Sequence, residues 1–242
     1  MSSSIERIVI DRRFRGPEES GNGGYSCGLV ASFVRCDLAE VTLRAPPPLD
    51  VLLDVEREGE VVRVRHGEQL VAEGRPTELT ELAPPPPPSK AEAEAARKGF
   101  RGFIDHPFPT CFVCGPQRSE GDGLRIHPGW VGDIQVADAF VPHPSLDAGD
   151  GRMRPEHVWA ALDCPGAFAL MGDGTEDLTL VLGRMAARID ERPRIGEELV
   201  VTGWVRGRDG RKHDCGTALW GDDGRLRGLA RATWIAILPE NR

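Results

Sequence analysis

The stretch at 83–89, APPPPPS, decides how this chain is organised. Its five consecutive prolines donate no backbone N–H and favour the polyproline II conformation, so they form neither a helix nor a central strand. The chain is divided there. Directly after it, KAEAEAARKGF at 90–100 combines strong helix formers with charge and has no sustained apolar stripe, the pattern of an exposed connecting helix. Residues 84–105 read as a linker between a first unit at 1–83 and a second at 106–242.

Working outward, both sides repeat one order of elements. Before the linker come an extended segment at 5–13, an apolar helix at 25–34, and strands at 41–44, 51–56, 61–65 and 69–79. After it come an extended segment at 134–141, a helix at 157–170, and strands at 180–189, 198–207, 211–221 and 226–238. Glu58-Gly59 and Asp209-Gly210 carry the same hairpin-turn chemistry. Phe14 and Phe140 occupy matching places ahead of the helices, and LVAEGRPTEL at 70–79 aligns with LRGLARATWI at 226–235, where Arg and Thr coincide. A repeat in fixed order predicts a duplicated α+β architecture, each half a helix wrapped by an antiparallel meander.

Composition narrows the function. The 242 residues carry 30 Lys plus Arg against 38 Asp plus Glu, a formal charge of -8, with no basic run interleaved with aromatics, which argues against nucleic acid as a partner. The longest uncharged stretch falls short of the roughly 20 apolar residues that a membrane span requires. The opening MSSSIERIVIDRR has no apolar core of a signal peptide, so the expected location is cytoplasmic, and the six cysteines are expected as thiols.

Three stretches carry a resemblance: SGNGGYSCGLVAS at 20–32, CFVCGP followed by GLRI at 111–126, and VWAALDCPGAFA at 158–169. Through them the chain resembles the hotdog-fold acyl-CoA thioesterase superfamily, nearest to the phenylacetyl-CoA thioesterase type, in double-hotdog form. The resemblance implies two tandem hotdog repeats, each a long central helix wrapped by an antiparallel sheet, packed as a pseudo-dimer. In that family His-Gly-Gly or Asn-Gly-Gly opens the long helix, and an acidic residue nine positions later lies within it. Here the pair is divided. Asn22-Gly23-Gly24 is followed at that interval by Ala31, while Asp163 is preceded by Arg154-Pro155-Glu156. Because the family's sites are shared across a dimer interface, the resemblance implies one composite site, Asn22-Gly23-Gly24 facing Asp163, and a lost mirror site.

The chemistry suits a thioester. Backbone N–H groups at a helix start are aimed donors for a carbonyl oxygen that gains negative charge, and glycine lets the ligand approach closely. Asp163 is open to three readings: general base, nucleophile, or a buried carboxylate satisfied structurally. Asn22 either orients the reacting group or caps the helix. Tyr25, Trp159 and Phe168 are candidates to line an acyl pocket, although aromatics on buried helices are usually core.

Cys111 and Cys114 have zinc-knuckle spacing, but a zinc site takes about four ligands and no second Cys-x-x-Cys follows. His106, His127, Cys164, His213 and Cys215 stand at no diagnostic interval, so the pair reads as small packing residues and neither metal nor cofactor is expected. Asp147, Asp150 and His157 do not reproduce the Asp/His pattern of hotdog hydratases. The leading expectation is hydrolysis of an acyl-CoA or related thioester, with homodimerisation a further possibility. The alternatives are a non-catalytic acyl-CoA-binding or regulatory protein, and a purely assembly role.

Overall fold

A computed structural model describes residues 6–79, 82–172 and 178–237. Among these residues eleven strands form one sheet: β1 (Glu6–Ile8), β2 (Leu38–Leu43), β3 (Leu53–Glu58), β4 (Val61–His66), β5 (Gln69–Pro76), β6 (Gly129–Val131), β7 (Gln135–Phe140), β8 (Thr179–Ile189), β9 (Leu199–Asp209), β10 (Lys212–Trp220) and β11 (Leu226–Ile237). Their order is β1-β3-β4-β5-β2-β8-β11-β10-β9-β7-β6, and every pairing is antiparallel. Outward from the β2–β8 seam, the order is β5-β4-β3-β1 on one side and β11-β10-β9-β7 on the other. Ile5 and Leu238, the outer ends of two expected strands, lie outside the described residues.

The hairpins fall where turn chemistry places them. Glu58 pairs with Val61 and Asp209 with Lys212, so each loop has two residues, beginning with Gly59 at φ 61° and Gly210 at φ 57°. Positive φ suits the primed turns whose twist matches that of the strands, and glycine adopts it without a Cβ penalty.

The helices depart from the expected pair of long ones. α1 (Gly23–Ala31) has nine residues, and the second expected helix is divided into α3 (Pro155–Ala161) and α4 (Cys164–Leu170). The division follows from Pro165, which has no N–H and fits only the first turn of a helix, so α4 must begin afresh at Cys164. Thr217 donates its hydroxyl to the Leu162 carbonyl at 2.6 Å, satisfying backbone that the break releases.

The linker also departs from expectation. α2 (Lys90–Ala96) starts with a capping box between Ser89 and Glu92, but it is not simply exposed: it packs on β6 and β7, burying Ala93 completely and leading to buried Phe100. Strand β6 itself was not expected, because three residues are too few to show an alternating pattern.

One continuous apolar core runs from Ile10 through Val41, Trp159 and Met185 to Ala236, so the two sides of the linker share it. At the seam, Val41 pairs with Met185 and both are fully buried. Beside them Glu40 is buried on β2, where its carboxylate meets Arg75 at 2.7 Å, Arg231 at 3.3 Å and Arg184 at 3.9 Å. Among the described residues, no helix is long and apolar enough to cross a membrane.

Candidate active site

The start of α1 is held from three directions. Asn22 donates its N–H to the Phe14 carbonyl at 2.8 Å, Gly21 donates to Pro47 at 2.8 Å, and the Asn22 carbonyl accepts from Ser26 through both N–H and hydroxyl. The Asn22 side chain then does two things. Its Oδ1 accepts from the Tyr25 N–H at 2.9 Å, capping the helix, and its Nδ2 donates to Asp163 Oδ2 at 2.8 Å. The capping reading is met, and the amide that was expected to orient a reacting group is instead taken up by the Asp163 carboxylate.

Asp163 comes from the break between α3 and α4. Its side chain does not cap its own helix but crosses to α1, where Oδ2 also accepts from the Gly24 N–H at 3.0 Å. That approach explains the glycine: a Cβ on Gly24 would stand 2.5 Å from the Asp163 Cβ and 2.7 Å from the Trp159 carbonyl oxygen. A turn later in the helix, Gly28 allows the same close approach to Glu156 and Trp159.

The carboxylate is almost wholly buried. Burial raises its pKa to about 7; the Gly24 N–H and the Asn22 amide pull it down, while the Cys111 sulfur pushes it up. Asp163 Oδ1 has no hydrogen-bond partner among the described residues. A second buried carboxylate, Asp138 on β7, is likewise raised to about 7 by burial. It differs in company, accepting from the His127 N–H at 2.6 Å with Arg97 at 3.5 Å, and it does not line the cavity at Asp163.

That cavity has a volume of about 470 Å³ and a mainly apolar wall. Asn22, Gly23 and Asp163 stand on it together with Phe168, Met171 and Leu182. Gly23 N–H donates to no protein group among the described residues, whereas Gly24 N–H is taken up by Asp163. Of the three aromatic candidates, Phe168 lines the cavity. Tyr25 and Trp159 do not: Tyr25 stacks on Phe14 with centroids 4.0 Å apart, and Trp159 is buried behind Gly24 and Gly28.

Sequence reasoning missed His106, Phe108 and Trp234, which also stand on the cavity wall. None carries a local signal, because the irregular segment around 106–126 and the end of β11 reach the cavity only through tertiary packing. That segment is tied to the approach to α1: Phe112 N–H donates to the Arg15 carbonyl at 2.8 Å, and Arg13 reaches the Gly121 carbonyl at 2.7 Å. It thereby delivers Cys111 and Cys114 to the cavity, where they meet Cys164.

Several solved structures superpose on nearly the whole chain. The tesB protein of Mycobacterium avium subsp. paratuberculosis superposes with TM-score 0.63 over 98% of this chain and 96% of its own, at 11% identity. A conserved protein of unknown function with a hot dog fold from Alicyclobacillus acidocaldarius gives TM-score 0.63 over 99% and 95%, at 13% identity. This chain has the hotdog fold. A candidate thioesterase II of Thermobifida fusca superposes on the same hotdog architecture with TM-score 0.60, over 96% and 92%, at 13% identity. No family model matches the hotdog chain, and no curated protein sequence matches it.

Proposed function

We propose that the protein is a duplicated hotdog thioesterase, with halves at 1–83 and 106–242, that hydrolyses an acyl-CoA or related thioester at one composite site. The observation that carries this reading is the convergence of Asp163, Asn22 and Gly23 on one apolar cavity from opposite sides of the linker. Matching strand orders on the two sides of the β2–β8 seam support the duplication. Two solved structures of the same fold whose names include thioesterase support the reaction class.

The division of labour follows from which groups are already engaged. Gly24 N–H is committed to Asp163, so Gly23 N–H is the helix-start donor left to polarise the thioester carbonyl. Asp163 Oδ2 is fixed by two donors, so Oδ1 either draws a proton from water or attacks the carbonyl carbon. Asn22 positions the carboxylate, and the acyl chain lies along Phe168, Met171 and Leu182.

The test is hydrolysis of short, medium, long and aromatic acyl-CoAs by wild type, Asp163→Asn and Asp138→Asn. Turnover by wild type and Asp138→Asn, with a loss of at least about a hundredfold in Asp163→Asn, is expected. Equal turnover by all three variants would overturn the reading. Single-turnover hydrolysis in ¹⁸O-labelled water, run with and without hydroxylamine, separates the two roles: label in the peptide bearing Asp163, or an acyl–enzyme anhydride trapped by hydroxylamine, marks nucleophilic attack, and neither of these with label in the released acid marks a general base.

One observation favours a second reading, an acyl-CoA-binding protein without turnover: the carboxylate already engages the Gly24 N–H that a substrate oxygen could use. It predicts that acyl-CoA raises Tm in wild type while no acyl-CoA is cleaved.

A further inference from the structure

Three of the six cysteines meet at one point. The sulfur atoms of Cys111, Cys114 and Cys164 all lie within 4.8 Å of one another, each side chain is buried, and Cys111 Sγ is 3.9 Å from Cys164 Sγ. Three thiolates on a tetrahedral zinc ion, with zinc–sulfur bonds of about 2.3 Å, stand roughly 3.8 Å apart. The cluster is thus close to metal-binding size before any ion enters.

A second observation concerns the turn that carries two of these sulfurs. In Cys111-Phe112-Val113-Cys114-Gly115 the Gly115 N–H donates to the Cys111 carbonyl at 2.9 Å, closing a tight turn with Cys111 and Cys114 sulfurs within 4.8 Å of each other. The thiolate is the form of these side chains that binds metal. Gly115 is required for this tightness, because a Cβ there would stand 2.5 Å from the Cys111 carbonyl oxygen. Asn22 Nδ2 also approaches two of the sulfurs, at 3.8 Å from Cys111 and 4.0 Å from Cys164.

Cysteines that merely pack look different here. Cys27 and Cys215 are equally buried, yet neither joins a group of three ligating side chains; among the described residues, only Cys111, Cys114 and Cys164 form one. The expectation of no metal rested on the missing second Cys-x-x-Cys. The fold supplies the third sulfur from Cys164, far along the chain at the start of α4.

We propose that Cys111, Cys114 and Cys164 bind a zinc ion as three thiolates, with the fourth coordination position open to the cavity that all three line. Binding releases the thiol protons to solvent and involves no redox change. A site with three protein ligands and one exchangeable position is the pattern of zinc sites that admit water or another small ligand. The assignment concerns metal binding and stands whether or not the cavity hydrolyses thioesters.

The experiment uses the full chain, purified without added metal, depleted with a chelator under reducing conditions and titrated with zinc and then with cobalt(II). About one zinc per chain is expected by elemental analysis, with Tm falling on chelation and recovering on zinc addition. Cobalt should produce thiolate-to-metal charge-transfer bands and the intense visible bands of tetrahedral coordination. Cys111→Ser, Cys114→Ser and Cys164→Ser should each abolish those bands, while Cys36→Ser at the surface leaves them intact. Folded wild type that takes up no zinc and gives no cobalt–thiolate bands overturns the proposal whatever the variants do. Bands lost in Cys36→Ser but kept in the other three overturn it as well.

Discussion

The starts of α1 and α3 occupy matching places in the two halves of the element order, and they have opposite chemical character. α1 opens with Asn22-Gly23-Gly24, and Asp163 lies against it. α3 opens with Arg154-Pro155-Glu156, where Arg154 makes no side-chain capping bond and Pro155 has no N–H to offer. The family resemblance implies Ala31 as the position facing it, and an alanine side chain exchanges no proton. The comparison teaches that the fold supplies helix starts, while a donor and a carboxylate at those starts are separate properties of the sequence.

The sharpest way to break the contrast is to remove the carboxylate: Asp163→Asn should lose between about 10² and 10⁴ in hydrolysis rate. Next, Gly23→Pro in a Leu182→Gly background gives α1 the first residue of α3. The whole Leu182 side chain is removed because a Cβ on Gly23 would stand 2.6 Å from the Leu182 Cβ. Turnover should fall by about 10² to 10³, the usual cost of one oxyanion donor, with Leu182→Gly alone as the reference. Asn22→Ser keeps an N-cap oxygen but loses the amide that donates to Asp163. A drop of roughly tenfold in kcat with Tm nearly unchanged is expected, matching one hydrogen bond to a charged group. Smallest of all, Pro155→Gly restores a donor with no carboxylate opposite it, so activity should stay within about twofold; a clear gain would show that the second start is still competent.

Much of the sheet was legible. Strands β3, β4, β5 and β8 to β11 lie within a few residues of where alternation and hairpin turns place them, because those signals are local. The interruption of the second helix was partly legible in Pro165, though not its position between Leu162 and Cys164, which depends on Thr217 and the strands beneath. Asp163 and Asn22 are 141 residues apart, and no periodicity links them; their pairing was anticipated only through the resemblance of their motifs to a family. The third sulfur was not anticipated, because Cys164 meets Cys111 only when the segment around 106–126 docks on residues 13–15. Tyr25 and Trp159 were misplaced for the usual reason that a buried aromatic gives no sign of which side of its helix faces a cavity.

The seam at β2 and β8 also has a consequence for the time course of folding. Val41 and Met185 pair across more than half the length of the chain, and such distant contacts form late because a long loop must close before they contribute. Until β8 arrives, β2 is the unpaired margin of a young sheet, a surface on which other chains could stack. Glu40 stands on that margin with its charge, neutralised by Arg75 from the same half and afterwards by Arg184 and Arg231 from the later one. On a sheet that ended at β2, the carboxylate that the finished protein buries among three arginines would put a charge on the open edge, a feature that discourages strands of other chains from adding there.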